Sequence, residues 1–145
     1  MRVGKKRMKR IKKSCGCIVI KEDKVLLIQA KNDKNELFWA FPKGEQESKE
    51  TDKETALRET KEEVGLEVEI IDEKPIRVGH PIHNGTAFKE ILLFIAKPLN
   101  DGLTIQKQEV ERAKWIPISK AGEYLENYYK EAWQELIKRL AKDGK

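Results

Sequence analysis

The chain alternates short apolar blocks with long charged stretches, and the spacing of those blocks predicts an α/β fold. Residues 14–20 (SCGCIVI) and 25–30 (VLLIQA) are rich in strand-forming side chains and flank the polar turn Lys21-Glu22-Asp23-Lys24, a hairpin pattern. A charged loop over 31–36 leads to a short apolar segment, 38–41, stopped by Pro42. Residues 67–71 alternate as a strand does. Residues 75–85 predict loop around a short strand at 76–78, and 87–96 is the strongest strand of the chain. Residues 98–108 predict loop with a candidate strand at 103–105, followed by a last short strand at 115–118. Helical spacing marks 51–64, 119–126 and 128–141, the last with Ala132, Trp133, Leu136, Ile137 and Leu140 on one side.

The segment 51–64 (TDKETALRETKEEV) has the clearest local signals. It lacks Gly and Pro and consists largely of good helix formers. Thr51 or Asp52 can cap its start, Thr51 with Glu54 fits a capping box, and Gly65 suits the helix end. Ala56, Leu57, Thr60 and Val64 are the expected buried stripe. Glu59, Glu62 and Glu63, at i, i+3 and i+4, lie together on another face. Such a cluster can be a solvated acidic surface. Its hard oxygen donors, flanked only by Arg58 and Lys61, also suit Mg²⁺ or Mn²⁺, ions that keep some waters and take phosphate oxygens as further ligands.

Length and charge narrow the picture. At 145 residues the chain predicts one domain, 14–145, preceded by a basic tail, 1–13. That tail holds eight Lys or Arg and no acid, whereas the whole chain carries only +5, so residues 14–145 are mildly acidic. A basic nucleic-acid-binding domain is therefore excluded. The tail reads as disordered, with a weak attraction to RNA or other polyanions, and Met8 within it is a second candidate initiator. The longest apolar run, 91–96, is far too short to cross a bilayer. The apolar block after the basic residues is likewise too short for a signal peptide, so the expected location is cytoplasmic. Cys15 and Cys17 fit small buried hydrophobes better than a disulfide or a zinc site. His80 and His83, in a Pro/Gly segment, read as a solvated turn.

Gly44, Glu50, Arg58, Glu59, Glu62, Glu63, Gly65 and Leu66 give the spacing G-x5-E-x7-R-E-x-x-E-E-x-G-[apolar], which resembles the Nudix box. The box departs from its usual pattern at Thr60, where an aliphatic side chain is typical. The order of elements from 14 to 137 is similar to the Nudix α/β/α sandwich, with a mixed β-sheet, the box loop and helix, and a C-terminal helix. Within that superfamily the details resemble the bis(5′-nucleosyl)-tetraphosphate hydrolases. Trp39-Ala-Phe-Pro-Lys43-Gly44 looks like their W-x-x-P-K-G approach to the box. Lys89 matches a phosphate-contacting lysine, and Glu109 a glutamate outside the box that binds or organises metal. A tyrosine that stacks on the base would fall near Leu93 and is missing. Tyr124, Tyr128 or Tyr129 can supply a ring instead, with Tyr128 and Trp39 the candidates carried forward.

The resemblance implies a metal-dependent phosphoanhydride hydrolase acting on small nucleotides. Glu59, Glu62, Glu63 and the Gly44 carbonyl, with Glu109, would hold Mg²⁺ or Mn²⁺. Glu59 or Glu109 would take a proton from water. Arg58 would orient the carboxylates and Glu50 would anchor the loop, while Lys43 and Lys89 would balance phosphate charge. Asymmetric cleavage of diadenosine tetraphosphate to ATP and AMP is the leading expectation. Pyrophosphate removal from the 5′ end of RNA, or from another dinucleotide or nucleotide sugar, comes second. A non-catalytic binding module comes third, since every box carboxylate is present.

Overall fold

The computed structural model describes residues 9–105 and 110–143. Eight strands form one mixed sheet system: β1 (Lys9–Lys21), β2 (Lys24–Lys31), β3 (Leu37–Ala40), β4 (Lys43–Glu45), β5 (Val68–Ile70), β6 (Ile76–Ile82), β7 (Ala87–Pro98) and β8 (Val110–Pro117). The helices are α1 (Asp52–Val64), α2 (Ile118–Ala121) and α3 (Lys130–Asp143). Long β1 organises the rest. It lies parallel to β7, antiparallel to β4, and turns at Ile20↔Val25 into the hairpin with β2. β7 takes β5 and β6 antiparallel, and β2 sits between β3 and β8.

Strand alternation divides the central residues between two faces. Cys15 and Cys17, registered with Leu92 and Phe94, face α1, where the Cys17 Sγ lies 3.7 Å from the Ala56 carbonyl oxygen. Gly16 and Ile18, registered with Leu93 and Ile95, face the other way, as do Val78 and His80 of β6. His80 meets Tyr128, just ahead of α3, so α1 and the C-terminal segment cover opposite faces. Both cysteines are free and fully buried as small apolar side chains. Leu136 of α3 is also fully enclosed, and its truncation to Ala would cost about 2–5 kcal/mol.

Several expectations need correction. β1 starts at Lys9 rather than at 14, because Lys9–Lys13 continue the parallel ladder along the first residues of β7. Lys12 and Lys13 consequently belong to the sheet and not to a tail. Residues 43–45 form β4, a short strand on the edge of β1, where loop was expected. β6 runs the full Ile76–Ile82, since Ile76, Val78, His80 and Ile82 alternate along one face. Gly79 and Pro81 obscure that period, and Pro81 is tolerated because β6 pairs on one side only.

The structure places no strand at 103–105; the Thr104 N–H instead donates to the Val64 carbonyl (2.8 Å) and closes the end of α1. β8 starts at Val110, ahead of the expected 115. The helix expected at 119–126 breaks into α2 and a 3₁₀ turn at Gly122–Tyr124, and a second 3₁₀ turn, Asn127–Tyr129, precedes α3. Leu57 and Ile137, placed on buried stripes by their spacing, are exposed.

Candidate active site

The box helix starts and stops where its sequence dictates. The Thr51 side chain accepts from the Glu54 N–H at 3.1 Å, and the Glu54 carboxylate accepts from the Thr51 N–H at 2.9 Å, completing the capping box. Gly65 ends the helix with φ 75°, and a Cβ there would press on Thr104 at 3.0 Å. These caps fix where α1 begins and ends. The face carrying Thr55, Ala56, Glu59, Thr60 and Glu63 is buried against the sheet and β4, and Glu62 stands at its rim.

Arg58 is the hub of the cluster. Its Nε donates to Glu50 Oε2 at 2.6 Å and its Nη2 to Glu50 Oε1 at 3.0 Å, a two-point pairing of planar groups. Nη1 donates to Glu59 Oε2 at 3.0 Å and to both oxygens of Glu62 at 3.2 and 3.3 Å. Nη2 also reaches the Glu45 carbonyl at 3.2 Å. Glu50 accepts further bonds from the Thr55 hydroxyl (2.8 Å) and the Glu47 N–H (3.0 Å). The Arg58 hydrogen bond, followed by the Glu47 N–H, brings the Glu50 pKa down to about 2, and the same pairing raises that of Arg58. Glu50 thus ties the loop to the helix through Arg58.

Gly44 shows why this position carries no side chain. A Cβ would fall 2.0 Å from the Glu59 carboxyl carbon, so the Glu59 carboxylate lies directly against the Gly44 backbone. Next to it the Lys43 N–H donates to Glu63 Oε1 at 3.2 Å. The carboxylates of Glu59, Glu62 and Glu63 therefore line one edge of α1 but answer to different partners. Among the described residues, no three of His, Cys, Asp and Glu stand close enough to hold one ion as placed. A shared helix face did not bring the carboxylates to one point, because the guanidinium lies between Glu59 and Glu62 and Glu63 turns to β4. The donor set still fits a hard divalent cation. Glu50, Glu59 and Glu62 contact one guanidinium and Glu63 lies against β4, so carboxylates outnumber the guanidinium, and the missing Cβ of Gly44 keeps its backbone within reach. Glu109 lies outside the described residues.

A groove of about 350 Å³ is lined by Asn32, Glu36, Leu37, Phe38, His80, Glu126 and Tyr128. His80 and Tyr128 stack with ring centroids 4.0 Å apart and planes 8° from parallel. His80 is the residue that sequence reasoning missed. It is a half-buried strand residue, not a solvated turn, and the alternation of β6 was the signal that could have found it. Burial, then the charges of Lys43 and Lys89, hold its pKa below the usual 6.5, so the ring is neutral near pH 7. Lys89 is registered directly opposite His80, and the charges of both expected phosphate lysines reach the His80 ring. Burial, with a smaller effect from Glu126, pushes the Tyr128 hydroxyl up to about 12. Trp39 is placed differently, edge-on to Tyr124 at 5.5 Å and bridged to Leu125 through its backbone.

The NUDIX domain family matches residues 10–140. The chain belongs to the Nudix family. Nudix hydrolase 2 of Arabidopsis thaliana is 33% identical over 107 residues, covering 70% of this chain and 37% of that protein. The chain spans half or less of the length of the curated relatives it matches. Among solved structures, a C. elegans Ap4A hydrolase binary complex aligns with a TM-score of 0.77 at 21% identity, covering 90% of this chain and 98% of that one. The Nudix domain of Shewanella oneidensis NrtR, complexed with ADP ribose, aligns with a TM-score of 0.68 at 19% identity, covering 93% and 90%. At these identities the likeness establishes the Nudix fold: a mixed sheet, the box helix and a C-terminal helix.

Proposed function

We propose that this Nudix chain is a metal-dependent hydrolase of nucleotides linked through phosphoanhydrides, splitting diadenosine tetraphosphate asymmetrically into ATP and AMP. The observation that carries this reading is the arginine-clamped carboxylate cluster on the Gly44 backbone, supported by Lys43 and Lys89, whose charges reach His80, and by the ring-lined groove that His80 enters. Each suits one part of such a substrate. The cluster takes the reacting phosphate, the lysines take the remaining phosphate charge, and the His80–Tyr128 face offers a flat surface to a nucleobase.

Glu59, Glu62, Glu63 and the Gly44 carbonyl would hold Mg²⁺ or Mn²⁺, which supplies an activated water and charge neutralisation on phosphate oxygens. Arg58 holds Glu59 and Glu62 in position, and Glu50 in turn holds Arg58. The water oxygen forms a new bond to phosphorus while the bridging P–O bond breaks, and the departing nucleotide keeps the bridging oxygen. Glu59 or Glu109 accepts the proton of the attacking water. Trp39 contributes by fixing the segment that leads into Gly44 through its contact with Tyr124.

Hydrolysis in ¹⁸O-water with separated products tests the reading. ATP and AMP as the main products, with label in one nucleotide only, are expected. Two ADP molecules would exclude the asymmetric cut. Idle enzyme on diadenosine tetraphosphate together with brisk pyrophosphate release from triphosphorylated RNA would transfer the assignment to RNA 5′ ends, where the basic N-terminal residues would assist.

A further inference from the structure

The first strand carries a feature that the box does not explain. From Lys12 onward the ladders are regular, and Lys12 of β1, Lys89 of β7 and His80 of β6 are registered in one row across three neighbouring strands. Strand alternation puts these side chains on the same face as Glu45 and Lys43 of β4, registered with Ser14 and Gly16. At the strand spacing of a β-sheet the row spans roughly 10 Å, starting beside the residue that follows Gly44.

The ion pairs on the two faces differ in exposure and setting at this level. On the α1 face, Lys13 pairs with Asp52 at 2.7 Å and Arg77 pairs with Glu90. On the groove face, Lys12 contacts Glu45 at 3.0 Å, and Lys43 and Lys89 lie on the same face of the sheet. That contact, reinforced by Lys89, lowers the Glu45 pKa. Both members of the Lys12–Glu45 pair are more than half exposed, at 54% and 58%, and an exposed pair of this kind adds little to stability. Exchanging Glu45 for a phosphate is therefore inexpensive. The Glu45 backbone stays fixed meanwhile, because its carbonyl accepts from Arg58.

We propose that Lys12 and Lys89 form a polyphosphate subsite that extends the candidate active site along the sheet. Lys12 releases Glu45 to hold the far phosphates of substrates with long phosphate chains. This rests on the function proposed above and makes Lys12 a determinant of preferred chain length. A substrate with two phosphates ends before reaching Lys12, whereas one with four or more is held by it.

The test compares Lys12→Gln, Glu45→Gln and the control Lys13→Gln, whose lysine sits on the opposite face. Steady-state kinetics on diadenosine tetraphosphate and on ADP-ribose give the chain-length preference. Lys12→Gln should lower the ratio of kcat/KM for the long substrate over the short one by about tenfold, chiefly through KM. Glu45→Gln should raise that ratio about twofold, and Lys13→Gln should leave it unchanged. Calorimetric binding of inorganic tripolyphosphate reads the subsite without any turnover, and Lys12→Gln should weaken it about fivefold. An unchanged ratio together with unchanged tripolyphosphate affinity would overturn the subsite. If wild-type protein hydrolyses neither nucleotide, the function proposed above fails. A loss of tripolyphosphate affinity in Lys12→Gln alone, with Lys13→Gln unaffected, would still uphold the anion site.

Discussion

Helix α1 and the stretch from β6 to α3 are both needed to form the candidate site, yet they are specified in different ways. α1 is closed by contacts among near neighbours in sequence: the Thr51–Glu54 box, the left-handed Gly65, and the Arg58 pairings with Glu50, Glu59 and Glu62. The groove wall is made by residues far apart in the chain, His80 on Tyr128 and Trp39 on Tyr124. The first region has its carboxylate cluster written into its spacing. The second lines the groove, and its sequence gives little notice of it.

Breaking the first region should give the largest effect. Glu63→Gln removes one charge at nearly constant volume and keeps an acceptor for the Lys43 N–H, so folding should survive. Turnover should fall by about a thousandfold, and chelator should abolish the wild-type rate. A near-normal rate in Glu63→Gln would show that the cluster is structural.

An intermediate effect is expected from the groove. His80→Ala removes the partner of Tyr128, and diadenosine tetraphosphate should bind roughly five- to fiftyfold more weakly, with kcat changed far less. An equal loss in kcat would mean that His80 belongs with the carboxylates after all.

A pH effect sharpens the comparison further. Glu50 has a folded pKa of about 2 against an ordinary 4.5, so the unfolded chain binds the proton more readily. Stability from this pairing is complete above about pH 4.5 and disappears as pH falls toward 2. Thermal melts of Glu50→Gln should therefore converge with wild type in acid and fall below it near neutrality. Parallel melting curves at all pH values would remove Glu50 from its anchoring role.

The smallest effect concerns the cap alone. Thr51→Ala should cost about 1 kcal/mol of stability in denaturant unfolding, while Leu57→Lys, at an exposed position, should be neutral within about 0.5 kcal/mol.

Local rules made α1, the β1–β2 hairpin and strand β7 legible, since caps, turns and β-branched runs act over a few residues. They also carried the box, where the missing Cβ of Gly44 lets the Glu59 carboxylate lie against the backbone. The same rules failed where partners arrive from elsewhere. Lys12 and Lys13 look like a solvated basic tail until β7 supplies the ladder and Glu45 and Asp52 supply the ion pairs. His80 looks like a turn residue until β6 pairs with β7 and Tyr128 covers its ring. Leu57 looks buried from its spacing and is not, because the sheet takes the neighbouring face that holds Thr55, Glu59 and Glu63. The sequence by itself determined the carboxylate cluster and the helix that bears it, because those contacts close within about twenty residues. Only the tertiary structure decided which lysines, rings and strand edges surround that cluster, because pairing between distant strands is chosen by the whole sheet.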